Sequence, residues 1–236
     1  AETPREERVG PVAGEVEDLG DEEDPGAVGE VADEEEGLAD VEVEVVDVDG
    51  VKTAEGNVAG IATIIGTPEE VKKQIEEGGG GLGRNRSGQG PPALGFNWSE
   101  EQELNPLRIV EGKAPTTEGF DAEAAADSAS SGPPVSIDTY CNGCQIAVDK
   151  ASADAEDLEV GDEVVVTTGA GTGTYKLSGI VTFGSADSPG GSSITTWATD
   201  VAQKVMGYGD TYFDVRVVAD DGVSQEELAH LAGIDR

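Results

Sequence analysis

Residues 161 to 228 constrain the fold more than any other part of the chain, because they read as one continuous run of strand, hairpin, strand, helix, strand and helix. Gly161-Asp162 predicts a turn and Glu163 to Thr168 a β-branched strand. Gly169 to Gly173 reads as a glycine-rich hairpin loop, and Tyr175 to Phe183 as the returning strand. A polar loop, Gly184 to Ser193, precedes Ile194 to Trp197, which lead into a helical stretch from Asp200 to Met206. Tyr212 to Val218 then alternates as a strand. Gly222 to Leu228 opens a last helix with Ser224 as N-cap and Glu227 at the third helical position. No residue in this run is placed for bond-making chemistry. The pattern is that of a scaffold.

With 236 residues the chain can bury a substantial core, but aromatic content is only 4% and glycine supplies 34 residues, so the packed part is smaller than the length suggests. The 14 basic against 50 acidic residues give a formal charge of −36. Such a balance repels nucleic-acid phosphates and anionic headgroups, which excludes nucleic acid as a partner. Residues 1 to 50 hold 20 of the acids, with only Arg5 and Arg8 as bases, and the remainder still carries 30 acids against 12 bases. The acidity therefore combines a tail with a salt-adapted or extracellular domain. No run of about 18 apolar residues spans a membrane. Ala1-Glu2-Thr3-Pro4 lacks the basic start and apolar stretch of a signal peptide.

Upstream of the scaffold the pattern is less regular. Residues 1 to 38 are acidic, contain glycine and show no apolar periodicity, which predicts a disordered segment. Val41 to Val48 alternates valine with acids and favours a half-buried strand, and Val51 to Ile65 reads as a strand or two short ones. Thr67-Pro68-Glu69-Glu70 starts a helix running from Glu69 to Glu77, stopped by Gly78 to Gly81. Residues 78 to 92 form a glycine-rich loop with Arg84 and Arg86. Thr116 to Pro134 is a second low-complexity stretch.

Candidate chemistry is sparse. Cys141-Asn142-Gly143-Cys144 fits a local disulfide, half of a zinc site or a redox pair. Zinc needs two more ligands, and the chain offers only His230 besides carboxylates. A thioredoxin-type site places its first cysteine at a helix N-terminus, whereas Asn-Gly favours a tight turn; in an oxidising setting the disulfide is expected. His230 has no nucleophile-elbow serine to serve. Gly169 to Gly173 and Gly78 to Gly83 lack the Lys-Ser/Thr and helix that phosphate cradling requires. Asp18 to Asp24 and Asp33 to Glu36 lack the ligand spacing of a calcium loop. Asn97-Trp98-Ser99 and Asn85-Arg86-Ser87 match the N-glycosylation pattern, which is short enough to recur by chance. Phe96, Trp98 and Trp197 are scarce large aromatics and candidate core anchors. The loop around Phe96 and Trp98 is the first candidate for a partner contact. No catalytic, cofactor-binding or metal-binding residues are expected.

Several segments, in order, resemble the extracytoplasmic domain of FtsX-like ABC transporter permeases, the family that includes the MacB and lipoprotein-sorting permeases. They are Leu158-Glu159-Val160-Gly161-Asp162, Tyr175-Lys176-Leu177-Ser178-Gly179-Ile180-Val181, Phe183-Gly184-Ser185-Ala186-Asp187-Ser188, Phe213-Asp214-Val215-Arg216-Val217 and Gly222-Val223-Ser224-Gln225-Glu226-Glu227-Leu228. Two upstream blocks, Leu94-Gly95-Phe96-Asn97-Trp98 and Leu104-Asn105-Pro106-Leu107-Arg108-Ile109-Val110-Glu111-Gly112-Lys113-Ala114-Pro115, resemble its actinobacterial branch. The resemblance covers about half of the chain and rests on collinear order.

It implies an α+β fold of two lobes, a mixed α/β lobe (39–92 and 188–236) and an inserted β-rich lobe (93–187) that itself carries an insertion at about 117–145 relative to the family, after the acidic segment 1–38. It also implies flanking membrane helices, a position on the outer face of the cell membrane, and a dimeric parent permease. Catalysis would lie elsewhere, in a cytoplasmic ABC ATPase whose work moves this domain against a lipoprotein, lipid, peptide or cell-wall partner. The competing expectation is a secreted or surface-exposed acidic binding module of a salt-adapted organism, and a redox protein built on the CxxC stands behind it.

Overall fold

In a computed structural model the described residues are 48–77, 91–130 and 136–231. Expectations for the acidic segment, for all but the last residue of the strand expected at 41–48, and for the loop 78–90 with its glycines, arginines and Asn85 lie outside them. The fold is α+β. Ten strands form two sheets, and five helices accompany them among the described residues.

The first sheet is a two-stranded ribbon. Strand β1 (Val51–Asn57) pairs antiparallel with β10 (Asp214–Ala219), from Val51 opposite Ala219 to Asn57 opposite Asp214. The second sheet has eight strands: β2 (Ala59–Ile61), β3 (Thr63–Gly66), β4 (Ala93–Asn97), β5 (Leu107–Gly112), β6 (Gln145–Asp149), β7 (Glu163–Thr168), β8 (Gly171–Phe183) and β9 (Ser193–Trp197). Its order is β2-β4-β9-β6-β8-β7-β3, with β5 added on β8. The two end strands of that path, β2 and β3, are joined through the single residue Ala62, whose N–H donates to Ala93 O at 3.1 Å. The sheet therefore closes on itself as a small barrel. Closure joins the two ends of that path, and β5, paired only with β8, keeps an outer edge.

Side-chain alternation follows from closure. Ile146, Val148, Tyr175, Leu177 and Trp197 join Val164 and Val166 in the main core, whereas Ala147, Val181 and Ile194 join Leu107 in a smaller core on the outer face. All five residues of β6 are buried, as expected of a strand packed on both faces. Asp149, at the end of β6, is fully buried. Its carboxylate caps helix α3 (Lys150–Glu156) by accepting from Ser152 N at 3.0 Å, and it accepts from Ile194 N at 2.7 Å. A buried carboxylate with two backbone donors is a structural rivet.

Helix α1 (Pro68–Glu76) carries the expected start: Thr67 and Glu70 form a reciprocal capping box with Pro68 inside the first turn. Helix α4 (Thr199–Met206) buries Val201, Ala202, Val205 and Met206 in the main core. Gly95 on β4 faces Met206 and Ala62 so closely that any added methyl would overlap both. Helix α5 (Gln225–Leu231), which carries His230, starts where predicted, with Glu227 N donating to Ser224 Oγ at 3.1 Å.

The hairpin is tighter than its glycines suggest. Thr168 pairs with Gly171, so only Gly169 and Ala170 form the turn. The low-complexity insertion contains helix α2 (Ala122–Ser130) and a 3-10 turn (Ile137–Thr139). Its base is stitched by Asp121 N to Tyr140 O (2.8 Å) and Asn142 N to Gly119 O (2.9 Å).

The expected lobes divide the chain into 39–92 with 188–236 and 93–187. Strand β4, from the second range, lies between β2 and β9, both from the first. The β4–β9 pairing is parallel and long-range, a contact that local periodicity does not encode. The two sheets part between Asn57 and Val58 and again near Phe213.

Candidate functional site

The junction between ribbon and barrel gathers more long-range side-chain hydrogen bonds than any other described part of the molecule, and Asn97 is at its centre. Its Oδ1 accepts from Val58 N at 2.8 Å. Its Nδ2 donates to Gly56 O at 3.0 Å and to Thr199 Oγ1 at 3.1 Å. One buried amide thus holds the end of β1, the start of β2 and the start of α4 together. An amide is suited to this, because it supplies a donor and an acceptor from one planar group. These bonds also occupy the nitrogen that glycosylation would modify, so the sequon at Asn97-Trp98-Ser99 is a structural feature.

Further bonds surround it. Phe213 N donates to Asn57 O at 2.8 Å, Tyr208 Oη to Ala59 O at 2.8 Å and Gln203 Nε2 to Thr211 O at 3.0 Å. Gly56 lies against the ring of Tyr212, leaving no room for a β-carbon. The loop 98–106 then ties back to the ribbon: Ser99 Oγ donates to Glu55 Oε2, Glu100 N to Glu55 Oε1 at 3.3 Å, and Lys52 Nζ meets Glu103 Oε1 at 2.6 Å. The Glu103 hydrogen bond raises the Lys52 ammonium above its ordinary pKa.

Phe96 and Trp98, the expected partner contact, flank Asn97. Both are half-buried and pack on the outer core with Ile109. Phe96 lines a pocket of about 230 Å³ together with Leu104, Leu107, Phe183, Ile194 and Arg216. Trp98 lines an open groove on the other side of the same loop, beside Arg108 and Ile109. Trp197, the third scarce aromatic, is fully buried with its ring edge-on to Tyr175 at 5.5 Å. Sequence reasoning missed Asn97 as an anchor, and it missed Arg216 as a pocket residue. The signal for Asn97 was its position between two aromatics in a strand, where an amide has to be satisfied internally.

Cys141 and Cys144 form a disulfide with a Cα–Cα distance of 5.1 Å, and both are buried. The bridge closes the Asn142-Gly143 turn, Gly143 having a φ of 76°. Neither cysteine begins a helix, unlike a thioredoxin-type pair, and Cys144 leads directly into β6. Among the described residues no three or more His, Cys, Asp or Glu side chains converge as a metal site. No described helix is long and apolar enough to cross a membrane.

Neither a family model nor a curated protein matches the chain. Among solved structures it is similar to the extracellular domain of the noncanonic ABC-type transporter YknZ from Gram-positive bacteria. That likeness has 12% identity over 83% of this chain and 81% of the other, with a TM-score of 0.45. It is also similar to the periplasmic region of MacB from Actinobacillus actinomycetemcomitans, with 12% identity over 81% of this chain and 72% of the other and a TM-score of 0.43.

Proposed function

We propose that this chain is the extracytoplasmic domain of an FtsX-like ABC transporter permease and that it passes movement from the membrane to an outer partner without catalysing a reaction. The support is geometric. Chain entering at Val48 and chain leaving at Asp220 meet at one end of the ribbon, where Asp220 N donates to Gly50 O at 2.9 Å. The other end is rooted in the barrel through Asn57, Asp214 and Asn97. Seven strand residues at about 3.3 Å each separate the two ends by roughly 20 Å. A displacement of both flanking segments therefore arrives at the far end of a short lever whose root is hydrogen-bonded into a stiff barrel.

Three of the segments that resemble the family contribute to the ribbon, its root and the barrel. Phe213 to Val217 lies at the root and along β10, Leu94 to Trp98 forms β4 and its exit, and Tyr175 to Val181 forms the long barrel strand. On this reading the functional division lies at the ribbon–barrel junction, the domain stands on the outer face of the membrane, and a cytoplasmic ATPase drives a dimeric parent permease. The outer partner, a lipoprotein, lipid, peptide or cell-wall component, meets the barrel side, with Phe96 and Trp98 as the first contact residues.

The test is purification of the parent protein from its own membrane. The expected result is a chain with membrane helices outside this segment that co-purifies with an ABC ATPase. A parent without such helices, or one that brings down no ATPase, overturns the reading.

A further inference from the structure

We propose that the pocket between the loop 98–106, the outer face of the barrel and the ribbon binds one hydrocarbon chain of an uncharged acyl lipid, with Arg216 donating to its ester oxygen. The walls are apolar: Phe96, Leu104, Pro106, Leu107, Phe183 and Ile194 enclose about 230 Å³. Phe183 remains 42% exposed, in a chain with only four phenylalanines. A large apolar side chain left facing solvent beside a concave apolar wall marks a binding surface more than a packing residue.

The polar groups of the lining decide what else can enter. Asn97 is committed to Val58, Gly56 and Thr199, as described. Asn105 Nδ2 donates to Ser99 O at 2.6 Å and its Oδ1 accepts from Leu107 N at 2.9 Å, while Ser99 Oγ is held by Glu55. A peptide would bring N–H and C=O groups for which these side chains have no remaining role, and an unpaired buried amide is costly. A hydrocarbon chain brings none.

Arg216 is the exception. Among the described residues its only ionic contact is Nε to Asp214 Oδ1 at a long 3.8 Å, and its side chain is 40% exposed. The two terminal nitrogens are available to an oxygen at the mouth. That oxygen belongs to an uncharged group, because Glu55 is directly opposite Arg216 in the ribbon and Asp214 is two residues before it on the same face. A carboxylate or phosphate head would meet two negative charges for one positive, on a chain of net charge −36. An ester accepts the hydrogen bond without that repulsion. The pocket joins barrel walls to a ribbon residue, so an occupant would stiffen the junction. Only this consequence rests on the proposed lever; the binding itself does not.

The experiment titrates the full chain with monooctanoylglycerol, octanoate and a capped apolar tripeptide, followed by calorimetry and by amide chemical shifts. The expected result is saturable one-to-one binding of monooctanoylglycerol, with octanoate weaker by about tenfold or more. Arg216→Gln should weaken the ester by about fivefold, the loss of one hydrogen bond. Leu104→Trp should fill the pocket and abolish binding while the thermal transition is retained. Phe183→Ser, at an exposed position, gives a second pocket variant that does not depend on Leu104→Trp folding. Equal or tighter binding of octanoate or of the peptide overturns the assignment, as does the absence of saturation or indifference to both pocket variants. Binding with no change in a spin-label distance between ribbon and barrel leaves the ligand standing and counts against the lever instead.

Discussion

The barrel and the ribbon are built from the same chain and differ in where their side chains go. In the barrel, β6 is buried along its whole length, and Trp197, Tyr175, Leu177 and Ile146 are sealed from solvent. In the ribbon, every residue of β10 is only half-buried, and β1 becomes buried only at Gly56 and Asn57, where it reaches the barrel. A two-stranded ribbon has little independent stability in water. Its order depends on its root. Full burial and partial exposure are therefore separated along the chain at one small hydrogen-bonded junction.

The harshest way to break this comparison is to remove the centre of the barrel. Trp197→Ala deletes a fully buried indole and should lower unfolding free energy by about 3–5 kcal/mol. Ribbon and barrel should then melt together in chemical denaturation, because the ribbon has no other support. A variant whose ribbon amides stay protected after the barrel has melted would refute the dependence. Trp197→Phe should be milder, since Nε1 has no hydrogen-bond partner to lose.

A sharper cut is Asn97→Ala. It leaves Val58 N and Gly56 O without their partner in a buried site and should cost about 2–3 kcal/mol. Here the two regions should separate. Amide exchange should accelerate along β1 and β10, while β6 and β8 keep their protection. Uniform acceleration would mean that the junction is simply part of the core and that the division between ribbon and barrel fails.

How far these features are legible in the sequence follows from how local their causes are. The capping box at Thr67 and Glu70, the β7–β8 hairpin and the Ser224 cap depend on neighbouring residues, and each is readable. Barrel closure is not, because Ala62 looks like any small residue between two short strands, and its importance lies in a bond to Ala93. The stretch from Val51 to Ile65, expected as a strand or two short ones, forms three strands that serve two sheets, parting at Val58, and no periodicity marks that change of partner. The low-complexity stretch Thr116 to Pro134 is legible from composition, yet α2 forms there because alanines favour helix even in such a setting. At the site, the aromatic pair brackets Asn97, which anchors the junction. The residue between them reads as a modification pattern, since the partners of Asn97 are 39, 41 and 102 positions away.

The gentlest prediction concerns Tyr175, whose ring sits in the main core with its hydroxyl unpaired. Burial holds this phenol well above its ordinary pKa near 10, with smaller contributions from Tyr140 and Asp138. The folded state therefore keeps a proton that the unfolded chain releases as pH rises past 10. Stability from this group is complete below that pH and declines above it, with a slope of one proton. Tyr175→Phe should remove that component of the alkaline decline. At neutral pH it should change stability by less than about 0.5 kcal/mol, because an unpartnered hydroxyl contributes little when replaced by a shape-matched apolar group. Denaturant titrations of both proteins at pH 7 and pH 11 check this directly. An unchanged alkaline slope would show that the hydroxyl reaches solvent, and the barrel interior would then be wetter than its contrast with the ribbon requires.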